Sequence, residues 1–433
     1  MPILIHLLVI IALVSSQPAA PPAPVELTIG VSNDGRPITA VRFGDGPRKL
    51  VVVGDTHGGP EANTYVLTNQ LIEYFRANPA AVPASVRLYL IPTLNPDGLA
   101  NGSRFNANNI DLNRNMNTTL DSCPENDWNT VVQGAYGLIA ETGGPYADSE
   151  VESRIIRSFL LDANGAIFIH SNAGLVFPAF CEHAPSILMG QIYAEGAGYL
   201  YSRYWPKYNI TGGMHDWAGN LGIAAITPEL ITGDQPEFEQ NLAGLQAVLA
   251  SAEDIMPPPQ GRTEAGVVMP ELLWRYWQAH GGVASFGPPL EPASEEGGIT
   301  RQRFTNTVLE LRPDQADTPG LVQPAPLGRN TLLAPIPPAT DNGNGRYFIE
   351  TGHNLGRAFL DHWQRVDGAQ IYGPPLSEEQ IITAADGQRR TGQIFEHAIL
   401  AQYDDGSIRA EPLGWAQLVR ERLNAPEQLY QVR

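Results

Sequence analysis

The chain has 433 residues, a length that predicts two or three domains rather than one. Hydrophobic residues make up 43% of it, which is enough for sizeable cores. The formal net charge of −19 argues against a nucleic-acid partner, because phosphate binding needs clustered Lys and Arg. Lys49 and Lys207 are the only lysines, and the arginines are spread along the chain.

The N-terminal segment has the pattern of a signal peptide. Its apolar run from Ile3 to Val14 is too short to span a bilayer and has about the length of a signal-peptide core. Small residues follow, although no Lys or Arg precedes the run. An uncleaved anchor and a buried N-terminal strand are the alternatives. We expect a signal peptide over residues 1–20 and a secreted or extracellular protein, with attachment to the cell surface left open.

Residues 24–255 alternate strand-like and helix-like segments. Buried strands are predicted at "RKLVVVGDTH", "VRLYLIPTLNP", "GAIFIHSN" and "GIAAITPEL". Apolar residues at helical spacing predict helices at "EANTYVLTNQLIEYFRANP", "SEVESRIIRSFLLDAN" and "PEFEQNLAGLQAVLASAEDI". This alternation predicts an α/β fold, which we expect to be a three-layer α/β/α sandwich with a mixed, mostly parallel sheet. Unusual polar residues follow the strand ends, where such sheets place ligand sites.

The remainder of the chain is predicted to be a small repeated module. "MPPPQGRTE", residues 256–264, is rich in Pro and predicts a linker. Beyond it Trp277 and Trp363 lie 86 positions apart, and "FGPPLEP" and "YGPPLSE" match at the same offset. We expect one repeat over residues 265–333 and a second over residues 346–433. Their aromatic residues either fill the small core of each unit or form a binding surface.

The stretch "VVVGDTHGGPEANT" ends a hydrophobic run with His57 and Glu61. Taken alone, this pair fits a metal site no better than the ordinary polar end of a buried strand. A catalytic zinc site needs about three protein ligands, commonly two His and a carboxylate. His170 follows another apolar run, in "GAIFIHSNAG", and would supply the third ligand.

The loop "LNPDGLANGSRFNANNIDLNRNMNT" carries Arg104 and Arg114 among many Asn and Asp residues. Guanidinium groups match carboxylates in a bidentate way. Two arginines beside a metal therefore suggest a substrate that has a carboxylate and a polarised carbonyl. The alternative is a loop that is rich in turn-forming residues and has no further role.

Together these motifs resemble the zinc metallocarboxypeptidases, the carboxypeptidase A group with its bacterial peptidoglycan-peptide amidase relatives. "NPDG" and "RFNANNIDLNRN" are followed by "FIHSN", "YNITGGMHDWAGNLGI" and "TPEL" in the family's order. The resemblance implies that His57, Glu61 and His170 hold one zinc ion per chain. It implies that Glu229 is the general base and acid, and that Arg104 polarises the scissile carbonyl.

The same resemblance implies the substrate contacts. Asn113 and Arg114 would grip the terminal carboxylate of a peptide, and Tyr208 would close over it as a hydrogen-bond donor. His215 falls where the family lines its side-chain pocket and argues against a preference for basic termini. Its alternative is a wall residue with no metal role.

One feature departs from the family pattern. The family usually spaces its first two ligands as His-x-x-Glu, whereas "HGGPE" has one residue more. We expect Gly58, Gly59 and Pro60 to absorb the extra residue. If they do not, the affinity for zinc would fall.

The two cysteines, Cys123 and Cys181, predict one disulfide if the chain is exported, the alternative being two buried thiols. The C-terminal repeats resemble extracellular "FG-P-L" repeats, which suggests a cell-wall or glycan ligand. Three hypotheses follow: a secreted carboxypeptidase acting on peptides with a free C-terminus, an amidase acting on peptidoglycan stem peptides, or an inactive binding protein that has lost its zinc.

Overall fold

The computed structural model describes residues 22–134, 138–256, 258 and 260–423. The predicted signal peptide and the last residues of the second predicted repeat lie outside this part of the chain. Across the described residues, no helix combines the length and the apolar character needed to cross a bilayer.

A nine-stranded mixed sheet forms the centre of the described N-terminal part. Its strands lie in the order β1-β2-β4-β3-β7-β11-β9-β10, and β8 pairs with β11 beside this path. Two further strands, β5 and β6, form a separate hairpin. The bounds are β1 Val25–Val31, β2 Pro37–Phe43, β3 Arg48–Val53, β4 Val86–Ile91, β5 Val132–Gln133, β6 Ile139–Ala140, β7 Gly165–Phe168, β8 His170–Ser171, β9 Leu175–Pro178, β10 Leu200–Tyr201 and β11 Ala224–Leu230.

Strand β3 lies in the middle of the sheet because its residues are apolar on both faces. It runs parallel to β4 on one side and to β7 on the other, and β7 runs parallel to β11. The outer strands β1, β2 and β9 add antiparallel pairs. The sheet is therefore mixed and mostly parallel at its centre, as predicted.

Helices cover both faces of the sheet. Alternate residues of β3 separate accordingly: Leu50 and Val52 pack in one core, and Val51 and Val53 pack in the other. The first core contains residues of α1, α4, α6 and α7, and the second contains residues of α3 and α5. The bounds are α1 Ala62–Ala77, α2 Pro96–Asn101, α3 Val151–Phe159, α4 Ala184–Ala197, α5 Met214–Asn220, α6 Phe238–Ala250 and α7 Ala252–Ile255. The three-layer α/β/α arrangement is confirmed.

Two C-terminal units follow, and each has a hairpin, two helices and a four-stranded antiparallel sheet in the same order. In the first unit these are β12 Arg262–Glu264, β13 Val267–Met269, α8 Glu271–Ala279, α9 Gly282–Phe286, β14 Ser294–Glu296, β15 Ile299–Arg303, β16 Val308–Leu311 and β17 Val322–Pro324. In the second they are β18 Arg346–Phe348, β19 His353–Leu355, α10 Arg357–Arg365, α11 Gly368–Ile371, β20 Gln380–Thr383, β21 Arg389–Ile394, β22 Ile399–Gln402 and β23 Ile408–Ala410. A last helix, α12 Leu413–Leu423, comes after them.

The Trp residues of the two units occupy equivalent places. The indole of Trp277 donates a 3.0 Å hydrogen bond to the carbonyl of Gly287, and Trp363 donates one of the same length to Gly373. Both rings are almost fully buried, so they belong to the core of the units and not to an exposed binding surface.

The ends of the predicted linker, residues 256–264, lie in folded elements. Met256 is fully buried in the core of the α/β domain, and Arg262–Glu264 is the first strand of the first unit. The connection is therefore shorter than the Pro-rich composition indicates, because both ends of the predicted linker belong to folded elements.

Candidate active site

Three metal-binding side chains converge at the edge where the parallel strands end. His57 follows β3, and His170 is the first residue of β8. The Nδ1 atom of His57 lies 2.7 Å from Oε1 of Glu61 and 3.0 Å from Nδ1 of His170. The Nδ1 atom of His170 is also 3.0 Å from Oε2 of Glu61. All three side chains are buried, and their ligand atoms lie within 4.8 Å of one another. The structure therefore brings the three predicted ligands together.

The longer His57–Glu61 spacing is absorbed by a tight turn. Gly58 adopts a φ of 53°, and a short 3-10 helix, Gly59–Glu61, follows it. A Cβ atom on Gly58 would lie 2.1 Å from the carbonyl oxygen of Ser103, so only glycine fits here. The turn ends at Glu61 and sets its carboxylate beside the His57 ring.

Asp111, which was not among the predicted site residues, contacts the ring nitrogen of His57 that faces away from Glu61. Its Oδ1 lies 3.0 Å from Nε2 of His57, and its Oδ2 accepts a 3.0 Å hydrogen bond from Nε of Arg104. Burial alone would raise the pKa of Asp111, but the charges of Arg104 and His57 hold it well below its usual value. A carboxylate on Nε2 leaves Nδ1 of His57 to act as a metal ligand.

The donor set fits zinc. Two imidazole nitrogens and one carboxylate are the ligands of many catalytic zinc sites, and a set of three leaves a fourth position for water or substrate. Burial would raise the pKa of Glu61, but His57 and His170 hold it well below its usual value, so it is an anion that can bind a cation. His57, Glu61 and His170 therefore form a site that could hold zinc.

Arg104 lies next to the donor set. Its Nη1 donates to Oε1 of Glu61 over 3.2 Å, and its Nε donates to Asp111. The guanidinium is thereby held beside the three metal donors.

Arg114 is nearly inaccessible to solvent, with 2% of its surface exposed. Its hydrogen bonds go to neutral oxygens: the carbonyls of Asn113 (2.7 Å) and Gln133 (3.2 Å), and the hydroxyl of Tyr208 (3.3 Å). Within the described residues no carboxylate pairs with it. The guanidinium is thus buried without a directly bonded carboxylate, although its charge acts on Asp111 and Glu229, and such a group can bind an anion.

Asn113 lies between the metal donors and the start of α5. Its Oδ1 accepts a 2.9 Å hydrogen bond from the backbone N–H of Met214, and its Nδ2 lies 3.4 Å from Nε2 of His170. The amide is thus fixed at the start of α5 with one edge toward the site.

Glu229 is placed beside His170 by strand pairing. The two residues are direct neighbours across the parallel β8–β11 pair. Burial and the charge of Glu61 raise the pKa of Glu229 to about 8. A carboxylate with a raised pKa can both take up and give back a proton near neutral pH.

A single cavity of about 570 Å³ joins these groups. It is lined by eight of the nine predicted site residues: His57, Glu61, Arg104, Asn113, Arg114, His170, Tyr208 and Glu229. Gln133, Leu138, Phe177, Trp205, Lys207 and Ile210 line it too, and sequence reasoning did not single out any of them.

His215 is the predicted residue that the structure does not bring to the cavity. It lies in α5, 3% exposed, and its ring meets Phe177 edge-on with 5.0 Å between ring centroids. Phe177 stands in the cavity wall. The α5 helix thus places His215 behind that wall, in contact with Phe177.

The disulfide between Cys123 and Cys181 is confirmed, with the two Cα atoms 5.9 Å apart. It joins the loop after Arg114 to the segment that follows β9.

A buried set of two imidazoles and a carboxylate, next to a second carboxylate and two arginines, defines a candidate metal-dependent hydrolase site. Residues 19–180 match the model of the peptidase M14 family, described as zinc carboxypeptidase. This part of the chain thus carries the sequence pattern of the zinc carboxypeptidase family. The match includes the three metal donors and both arginines, whereas Tyr208 and Glu229 lie beyond it.

The chain is also similar to individual proteins. It is 31% identical over 100 residues to carboxypeptidase SOL1 of Arabidopsis thaliana, which is 21% of this chain and 20% of that relative. The chain thus spans about a fifth of this relative's length.

Among solved structures, carboxypeptidase A from Helicoverpa armigera matches with 19% identity and a TM-score of 0.43, over 53% of this chain and 70% of that one. The murein-tripeptide amidase MpaA from Escherichia coli O157 matches with 22% identity and a TM-score of 0.37, over 56% and 95%.

Proposed function

We propose that the protein is a zinc-dependent metallocarboxypeptidase that hydrolyses the last peptide bond of a chain with a free C-terminal carboxylate. The observation that carries this proposal is the buried guanidinium of Arg114, which no carboxylate of the described residues contacts directly, in the same cavity as the metal donors and Glu229. An endopeptidase would have no use for a fixed cation at that place.

Each side chain has a task that its surroundings support. Zinc held by His57, Glu61 and His170 would make water more acidic and stabilise negative charge on a carbonyl oxygen. Arg114, with Asn113, would hold the terminal carboxylate and so fix which bond is cleaved.

The remaining groups act on the reacting atoms. Arg104 would donate to the carbonyl oxygen as negative charge develops there. Glu229 would take the proton from the attacking water and deliver it to the leaving amine. Tyr208, whose hydroxyl already contacts Arg114, would donate a hydrogen bond to the bound peptide.

The test of this proposal is the substitution Glu229→Gln. Zinc content and peptide binding should remain, while kcat falls by about three orders of magnitude or more, as for other central catalytic groups. Glu239→Gln, on the exposed side of α6, is the matched control and should leave kcat unchanged. Near-normal turnover by the Glu229 variant would remove this residue from the mechanism.

The substrate class is tested with peptides in pairs. Each peptide is offered with a free and with an amidated C-terminus, with and without a chelator, and the products are identified by mass spectrometry. Loss of residues from free termini alone, abolished by the chelator, supports the carboxypeptidase. Cleavage of a peptidoglycan stem peptide alone would favour the amidase of the same family. A chain that binds no zinc and cleaves nothing would be an inactive binding protein.

Secretion and wall attachment are part of the proposal. Residues 1–20 support export, and the disulfide between Cys123 and Cys181 suits an oxidising compartment. The two C-terminal units are proposed to bind a cell-wall or glycan ligand. Fractionation of the producing cells, and a pull-down of the whole chain on purified cell walls, would test these two points separately.

A further inference from the structure

The catalytic cavity contains a cation that the mechanism above does not use. Lys207 lines the cavity, one position before Tyr208. Its side chain is exposed, and its ammonium lies 5.1 Å from the centroid of the Trp205 ring. Within the described part of the chain it has no ion pair or hydrogen bond. It contrasts with the second lysine, Lys49, which is buried and ion-paired with Asp162.

The acidic groups of the cavity are already engaged. Asp111 pairs with Arg104 and His57, and Glu61 contacts both histidines and Arg104. Glu229 is reserved for proton transfer. Among the described residues the cavity therefore presents two cations with no carboxylate in direct hydrogen-bonded contact, the buried Arg114 and the exposed Lys207, although the charges of both oppose the rise in the pKa of Glu229.

The wall near these two cations is aromatic. The rings of Phe177 and Trp205 have centroids 5.4 Å apart, and those of Trp205 and Tyr208 are 5.9 Å apart. All three residues line the cavity. Such a wall can pack against the aliphatic stem of a substrate side chain. The ammonium of Lys207, which lies over Trp205, can pair with a negative charge at the end of that side chain.

We propose that Lys207 selects peptides whose C-terminal residue carries a second carboxylate on its side chain. This inference rests on the proposed carboxypeptidase function. Arg114 binds the main-chain carboxylate with its planar fork, whereas the ammonium of Lys207 acts as a point charge and accepts carboxylates on stems of different length. The preferred class of terminal residue is acidic.

The test compares two peptides that end in Glu and in Gln, which have the same shape and differ in charge. The natural chain should hydrolyse the Glu peptide with a kcat/KM about twofold to fivefold higher, the upper part of the range of an exposed ion pair. Lys207→Met, which keeps the stem on Trp205, should abolish this ratio, and Lys207→Arg should restore much of it. Arg203→Met removes a charge from the same segment outside the cavity lining and should leave the ratio unchanged.

Two results would overturn the inference, and a third would move the decision to a binding measurement. The natural chain could hydrolyse both peptides equally, which leaves the carboxypeptidase in place without this specificity. Lys207→Met could slow both peptides by the same factor, in which case the ammonium acts on Glu229 and not on the substrate. If neither peptide is hydrolysed, the proposed function fails, and the affinities of the two peptides for the zinc-loaded protein are measured by calorimetry. Equal affinities overturn the inference. A higher affinity for the Glu peptide that is lost in Lys207→Met supports it.

Discussion

The ammonium of Lys49 lies 2.9 Å from Oδ1 of Asp317 and so joins the α/β domain to the first C-terminal unit. Lys49 has no exposed surface, and it also contacts Asp162 and the carbonyl of Phe159, each over 2.7 Å. Tyr89 donates a 2.6 Å hydrogen bond to the other oxygen of Asp317. The contact between the two parts is therefore a buried and fully bonded charge cluster.

Replacing Lys49 by Met should destabilise the protein strongly. The change leaves Asp162 and Asp317 near each other without their shared cation, and breaking a buried ion pair costs about 3–5 kcal/mol. We expect a clear fall in the thermal unfolding midpoint. Arg76→Met, in an exposed pair with Glu73, is the control and should cost less than about 1 kcal/mol. Equal midpoints for both variants would show that the cluster contributes little.

Zinc should stabilise the folded chain. A ligand that binds the folded state alone, at a concentration a thousand times its Kd, adds about 4 kcal/mol to the free energy of unfolding. The unfolding midpoint should therefore rise when zinc is added to chelator-treated protein. His170→Ala should remove this rise, and His183→Ala, which alters a histidine outside the donor set, should keep it. A shift that survives in the His170 variant would place the metal elsewhere.

Asp111→Asn should weaken zinc binding without removing a ligand. The loss of a carboxylate that orients a ligating His costs about 10-fold to 100-fold in metal affinity. The Kd for zinc, measured by competition with a chelating dye, is the readout. An unchanged Kd would mean that the contact between Asp111 and His57 does not orient the ring.

His280 should make the protein less stable in acid. Its Nδ1 donates to the carbonyl of Tyr276 over 2.8 Å, and its Nε2 accepts from Arg157 over 3.3 Å, so the neutral ring uses both nitrogens. Burial and the charge of Arg157 lower the pKa of His280 to about 3, against the opposing charge of Asp367.

The pH range follows from this shift. Between about pH 6.5, where an unfolded His titrates, and pH 3, the unfolded chain binds a proton that the folded chain does not. The free energy of unfolding therefore falls by about 1.4 kcal/mol per pH unit within this window on account of His280. His280→Gln should show a shallower decline from pH 6 to pH 4 in denaturant titrations. Parallel curves for the two proteins would contradict the assignment.

The central strands and helices could be predicted because their sequences are locally unambiguous. The apolar run of β3 and the helical spacing of α1 require burial on particular faces. The first hairpin was not predicted, although Asn33, Asp34 and Gly35 form the turn between β1 and β2, because the flanking strands are only half apolar. Helix α4 was also not predicted, since its sequence is apolar on most sides and shows no periodic face.

Site residues that belong to a sequence motif could be predicted, whereas those brought to the cavity only by three-dimensional packing could not. His57, Glu61 and His170 were found from strand ends and spacing. Asp111 stands in "NIDLNRN" and could have been found by asking which carboxylate orients a metal-bound His. Lys207 was not singled out, because a single lysine forms no motif of its own, although it directly precedes Tyr208.

The hydrophobic cores of the two parts share residues across their boundary. Ala279 of α8 packs in the core of the α/β domain, Leu161 packs in the core of the C-terminal units, and Trp274 contacts both. The units thus pack directly against the α/β domain. If the units bind a cell-wall ligand as proposed, this packed boundary would keep the cavity close to that ligand, so that the peptide ends nearest the wall would be the ones offered to it.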